Sequence, residues 1–248
     1  MTKWPRFSNA PIVEALLDVR ATFPAPIEPG RLESFQDAIR DRYPTTMGRV
    51  AWESEIQVRQ EAVQQAITRR GPEGFMFKAK DGRRTVQARQ DGFTFNWLKP
   101  YDRWETFRDE AREHWERYRA MFGPEAVSRI ALRYINRLEL PVPFDDFREY
   151  VKTAPDIAPE LPQGLNAFFM RLEIPDERRG LIAILTETIE PLVDEGKRLP
   201  FILDIDVIHG SAIHPDGSAM WDKFEELREF KNEIFFSSVT ERAKELFQ

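Results

Sequence analysis

The run Arg129-Ile-Ala-Leu-Arg-Tyr-Ile-Asn-Arg-Leu-Glu-Leu-Pro141 alternates almost strictly between apolar and polar residues. Side chains on a strand change face at every residue, so this is the signature of a long strand with one dry face and one wet face. Ile130, Leu132, Tyr134, Leu138 and Leu140 take the dry face. Arg129, Arg133, Arg137 and Glu139 take the wet one, and Ile135 and Asn136 break the alternation. The strand sits just past the middle of the chain, where the order of elements starts again.

Before it, Pro11 to Thr22 alternates around Val13, Ala15, Leu17 and Val19. A proline-rich run, Phe23 to Pro29, excludes a central strand because proline lacks the ladder donor. Leu32, Phe35, Ile39 and Tyr43 then recur at helical spacing, which predicts a helix from about Gly30 to Arg42. A strand is expected over 50–58, with residues 59–70 either a helical turn or a continued edge strand. Gly71-Pro-Glu-Gly74 is expected to turn. Asp81-Gly82 and Asp91-Gly92 separate alternating runs at 75–80, 85–90 and 93–98, and glycine accepts the positive φ of a tight hairpin turn. Phe75, Phe77, Phe93, Phe95 and Trp97 share a phase in that meander and are expected in the core. A helix to about Phe122 follows, with Asp102 and Glu105 spaced as a capping box and Gly123-Pro124 as its stop.

The second half repeats this order. After the strand at 129–140 come a short helix at about 145–152, strands at 165–174, 181–190 and 201–209, and a last helix at about 219–247. Phe235 and Phe236 of that helix point to different sides. The fold class is therefore α+β. Two similar strand–helix–antiparallel meander–helix halves, 1–124 and 125–248, pack as one globular unit, with helices on one face of a curved antiparallel sheet. This element order resembles the duplicated TATA-box-binding-protein type of fold and, less closely, the helix-grip fold.

Composition narrows the chemistry. The 248-residue chain has no cysteine, which excludes disulfides, thiolate zinc sites and thiol catalysis and suits a cytoplasmic location. No apolar run approaches the roughly 20 residues that a membrane-spanning helix needs, and the first ten residues lack a signal-peptide core. The net charge of −6 is unevenly spread. Residues 1–124 carry 21 Lys/Arg against 18 Asp/Glu, and residues 125–248 carry 15 against 24. Neither a Gly-x-Ser-x-Gly elbow nor a Gly-rich phosphate loop is present, so no catalytic residue is assigned and no cofactor is expected.

The open sheet face is the candidate binding surface. It offers Glu14, Asp18, Arg20, Lys78, Lys80, Gln87, Arg89, Thr94 and Asn96 from one half. The other half offers Arg133, Arg137, Glu139, Arg171, Glu173, Glu187, Asp204 and Asp206. Arg133 and Arg137 on one strand suit an anionic group. Arg20, Asn96, Asn136 and Arg171 complete the candidate ligand-binding set. Asp204 and Asp206, at i and i+2 with His209 beyond, form the weaker alternative of a metal-dependent hydrolase. Ser211, His214 and Asp216 lie too close together in one loop for a catalytic triad. A nucleic-acid binder using residues 59–89, with eight basic and three acidic side chains, is a further alternative.

Four stretches together resemble a sporadically distributed, uncharacterised family of bacterial proteins: Asn9 to Arg20, Phe95 to Phe107, Arg133 to Pro141 and Lys231 to Thr240. The resemblance spans nearly the whole chain. It implies no activity, and it suggests a horizontally exchanged setting such as defence or toxin–antitoxin loci. The expected function is a non-enzymatic binding or regulatory protein. It would use the polar sheet face or the groove between halves to hold a protein or an anionic ligand, with no membrane partner and with homodimerisation left open.

Overall fold

The structure, a computed structural model, describes residues 4–59, 62–215 and 218–248, with the backbone alone for residues 50–72. The described residues form nine strands: β1 (Ile12–Thr22), β2 (Thr45–Arg59), β3 (Ala62–Lys78), β4 (Arg84–Arg89), β5 (Gly92–Leu98), β6 (Ala126–Pro141), β7 (Phe169–Asp176), β8 (Leu181–Ile189) and β9 (Arg198–His209). They make one sheet in the order β2-β3-β4-β5-β1-β6-β9-β8-β7. Every neighbouring pair is antiparallel. Four α-helices complete an α+β fold: α1 (Pro29–Glu33), α2 (Trp104–Phe122), α3 (Ser218–Ser238) and α4 (Glu241–Glu245). Among the described residues no helix is long and apolar enough to cross a membrane.

The sheet is dry on one side because its strands alternate in register. Ala15, Leu17 and Val19 of β1 lie opposite Tyr134, Leu132 and Ile130 of β6. Leu132 in turn faces Val207 of β9, and Leu17 faces Phe95 of β5. All of these side chains are buried. Each fully buried large apolar side chain stabilises the fold by about 1.5–3 kcal/mol. The helices cover this face. Trp104, Phe107, Ala111, Trp115, Tyr118 and Phe122 form the buried stripe of α2. Phe107 stacks on Phe95 with ring centroids 5.3 Å apart, and Trp115 meets Phe93 edge-on at 6.1 Å. Helix α3 buries Trp221, Phe224, Leu227 and Phe230. It is tied to α2 through Glu225, which accepts from Trp104 Nε1 and Arg108 Nη1, each at 2.7 Å.

Several local expectations are corrected. Gly71 to Gly74 is not a turn, because β3 runs through it as the partner of β2. Register shifts beside Val50, the partner of Pro72, accommodate a residue that cannot donate to the ladder. Gly74 instead permits close approach: a Cβ there would lie 2.4 Å from the carbonyl oxygen of Ala88. The first helix is short, since α1 tightens into a 3-10 turn over Ser34–Ala38, although Leu32, Phe35, Ile39 and Tyr43 are buried as expected. The helix expected at 145–152 reduces to the 3-10 turn Phe147–Glu149, with Asp146 and Glu149 forming a capping box. Asp102 does not cap α2; its carboxylate accepts from the Thr106 hydroxyl at 2.9 Å, and Arg103 holds the cap position. The last helix breaks after Ser238. Val239 bridges to Val151 there, and the Thr240 side chain caps α4 while donating to the Glu149 carbonyl at 2.7 Å.

Candidate functional site

The polar sheet face holds most of the residues expected on it, and they form a charge lattice. Asp18 is its hub. It accepts from Thr94 Oγ1 at 2.7 Å, Arg89 Nη1 at 2.8 Å, Arg129 Nη1 at 3.0 Å and Arg20 Nε at 3.3 Å. Burial by itself would raise this carboxyl; the Arg89 guanidinium, Thr94 and Arg20 override it and hold the group below the usual aspartate range. Arg133 grips Asp204 through Nε at 2.8 and 3.1 Å and through Nη2 at 2.5 Å. Arg137 lies between Glu139 and Glu190, the latter at 2.9 Å, and Arg171 lies 3.6 Å from Glu173. Asn96 donates to Glu14 at 2.6 Å and accepts from Gln87 at 2.9 Å. The candidate arginines on this face thus already have carboxylate partners.

Other sequence candidates fall elsewhere. Glu187, expected on the polar face, is on the opposite one: it pairs with Leu203, whose side chain is in the core. Asp206 keeps one buried oxygen without a hydrogen-bond partner, and burial raises its carboxyl against the pull of Arg129 and Arg133. Among the described residues no group of three or more His, Asp or Glu is placed to hold a metal ion. His114 is buried edge-on against Tyr43, at 4.8 Å, and His209 Nδ1 is 3.1 Å from the Gly180 carbonyl. Asp216 lies outside the described residues, as do residues 60–61 and the side chains up to 72 of the basic stretch 59–89.

Asn136 leads to a different site. It shares the helix-covered face with Tyr134, is 2 % exposed, and donates to the Leu203 carbonyl at 3.0 Å. Beside it opens a cavity of about 320 Å³ between the N-terminal segment, the β5–α2 connection, β6 and α3. Trp4, Phe7, Tyr101, Trp104 and Phe236 contribute aromatic walls. Trp4 stacks on Phe236 at 4.8 Å with planes 7° apart, and its Nε1 donates to Glu229 at 3.0 Å. Asn9 N donates to the Phe247 carbonyl at 2.9 Å, which ties the N-terminal arm to the segment after α4. Deeper in the cavity wall, the Tyr101 and Tyr134 hydroxyls are 2.7 Å apart.

Lys231 and Asn232 of α3 supply the cavity's unspent polar capacity. Each is 9 % exposed, and neither side chain has a hydrogen-bond or ion-pair partner among the described residues. Lys231 Nζ sits 3.9 Å above the centre of the Tyr134 ring. Of the other charged residues on the walls, Arg6 lies 3.6 Å from Glu105, Arg103 lies 3.8 Å from Asp102, and Arg228 pairs at 3.3 Å with Glu225, which is not part of the wall. Lys99 has no ion pair among the described residues, and one Glu105 oxygen is buried without a hydrogen-bond partner. Burial, reinforced by Arg228 and only partly opposed by Glu229, pulls the Lys231 ammonium down to about 7. The sequence carries a signal that the initial candidate set left unused. Lys231 occupies a stripe position of α3, four residues after Leu227 and three before Ile234, where an apolar residue belongs.

Each of the four stretches quoted for the family resemblance reaches this cavity: Asn9 to Ile12, Lys99 to Glu105, Tyr134 with Asn136, and Lys231 with Asn232, Phe235 and Phe236. In comparisons with known proteins, no family model and no curated protein matches the chain.

Proposed function

We propose that this is a binding protein whose cavity between the two halves of the chain holds a small organic anion with an aromatic or apolar body. The observation that carries this reading is Lys231, a buried cation with no carboxylate partner, beside the equally unpartnered Asn232. A buried ammonium without a counter-ion is costly. An entering carboxylate or phosphate supplies the missing charge, and Asn232 supplies a further hydrogen bond. The aromatic walls take the ligand's body, a common division of labour in ligand pockets. The polar sheet face is the less favoured surface, because Arg133 and Arg137 are already bound to Asp204, Glu139 and Glu190. The strand order supports reading the chain as one unit copied: β1 lies beside β5 and β6 beside β9, with β1 and β6 joined at the centre.

The test is calorimetric titration of the full chain with aromatic carboxylates and phosphates and with their neutral amide or ester counterparts. The acids are expected to bind at least tenfold more tightly. Lys231→Met removes that preference, whereas Arg133→Met on the opposite face leaves it unchanged. Because an anion fixes the proton on Lys231, affinity falls by up to tenfold for each pH unit above about 7. Loss of binding in Arg133→Met with retention in Lys231→Met would move the site to the polar face.

A further inference from the structure

Lysine side chains on a protein surface stay protonated at neutral pH and are poor nucleophiles. A lysine desolvated in an apolar pocket and next to another cation is the activated kind. Lys231 meets both conditions. It is 9 % exposed, and its Nζ lies 3.9 Å above the Tyr134 ring in a cavity whose walls include Tyr101, Trp104 and Phe236. Arg228 on its own helix is the neighbouring cation, and Arg6, Lys99 and Arg103 are the other cations on the walls. Among the described residues it has no carboxylate partner to hold its proton. Glu229, also on α3, is engaged by Trp4 Nε1 at 3.0 Å. From the β5–α2 connection, Asp102 faces Arg103, and from the first turn of α2, Glu105 faces Arg6 of the arm. None of these acids approaches the amine closely enough to pair with it.

We infer that Lys231 is a reactive amine that captures carbonyl compounds in this cavity, forming an imine with an aldehyde or ketone. In the step, the neutral amine's lone pair adds to the carbonyl carbon and the carbonyl oxygen takes up a proton. The nitrogen then loses its protons as the C=N bond forms and the oxygen leaves as water, with no change of oxidation state. The Tyr101–Tyr134 hydroxyl pair, 2.7 Å apart on the cavity wall, offers a route for those protons. Burial, which lowers the amine's proton affinity, supplies a substantial neutral fraction near pH 7. This inference uses the same cavity as the proposed anion site but a different form of the same side chain.

The experiment exposes the full-length protein to propionaldehyde and, separately, to 4-carboxybenzaldehyde. Each adduct is fixed with cyanoborohydride and its position read by peptide mass spectrometry. Lys231 is expected to be labelled at least tenfold faster at pH 7 than any of the chain's other eight lysines. Its labelling rate rises through about pH 7 and levels off by about pH 9, while ordinary lysines still gain at pH 10. Labelling spread evenly over the lysines, no adduct at Lys231, or a Lys231 rate still climbing at pH 10 would each overturn the inference. The two aldehydes separate it from the anion reading. Propionaldehyde capture without carboxylate binding keeps the reactive amine and discards the anion site. Carboxylate binding without capture of either aldehyde does the reverse.

Discussion

Glu187 carries a carboxylate in an unusual place. It is 0 % exposed on the helix-covered face of β8, and neither oxygen has a hydrogen-bond partner among the described residues. Burial pushes its carboxyl up to about 7 from an ordinary 4.5. A raised folded-state value means that the folded protein holds its proton more tightly than the unfolded chain does. Stability therefore falls as pH rises from about 4.5 to about 7 and stays reduced above that. Glu187→Gln is expected to stabilise the protein by roughly 3 kcal/mol at pH 8 and to change little at pH 4, read as denaturant midpoints at the two pH values. Arg89 and Asp18 show the opposite case, a buried pair in which the carboxylate accepts from Arg89, Thr94, Arg129 and Arg20, although Arg89 Nη2 is left without a partner. Arg89→Met leaves Asp18 buried with fewer donors and should cost about 3 kcal/mol in chemical denaturation at pH 7. Asp18 has a depressed carboxyl, so its contribution is present above the ordinary value of 3.8 and is lost as pH falls through the folded-state value. Acid unfolding of Arg89→Met should begin at a higher pH than that of the parent protein.

At the scale of elements, the hairpin between β4 and β5 depends on one backbone conformation. Gly92 has φ of +144°, and a Cβ there would stand 2.0 Å from the Val19 carbonyl oxygen of β1. The glycine thus serves both the turn and the approach of the next strand. Gly92→Ala is expected to destabilise the fold by about 3 kcal/mol or more, because the atom in the way is backbone. Gly82→Ala, at φ +70° in open space, should cost closer to 1 kcal/mol, and thermal melts of the two variants check the difference. Both Asp-Gly turns were legible in the sequence because the signal is local: a dipeptide between alternating runs. The passage of β3 through Gly71-Pro-Glu-Gly74 was not legible, because pairing with β2 overrides the local turn preference of those residues. Helix lengths failed for a related reason. The apolar stripe at 32, 35, 39 and 43 is buried as expected, yet the same spacing is compatible with a 3-10 turn over Ser34–Ala38.

At the scale of the molecule, one sheet and one continuous core join residues before 124 to those after it. β1 and β6 pair from Ile12 to Thr22, and buried residues from Ala15 to Phe247 belong to a single apolar cluster. Cutting the chain near residue 124 would bare the dry faces of both central strands along with their ladder donors and acceptors. The full chain should therefore unfold in one calorimetric transition, and fragments 1–124 and 125–248 should each fail to show a cooperative melt. Two resolved transitions would indicate halves that fold independently.

The sequence by itself determined the α+β class, the alternating strands, the Asp-Gly turns and the dry stripes of α2 and α3. Each of these follows from side-chain periodicity or from the backbone freedom of a single residue. Most of the polar face was legible too, but not Glu187, which shares the parity of Leu181, Ala183 and Leu185 on β8, nor Asn136, which lies on the helix-covered face opposite Leu203. Only the tertiary structure decided what those faces hold. Cross-strand register brought Asp204 to Arg133 and gathered Arg89, Thr94 and Arg129 around Asp18. Chain folding carried Asn9, Tyr101, Asn136 and Lys231 to the same cavity from widely separated positions. Periodicity reports which way a side chain points, whereas a binding site depends on which distant side chains point at the same volume.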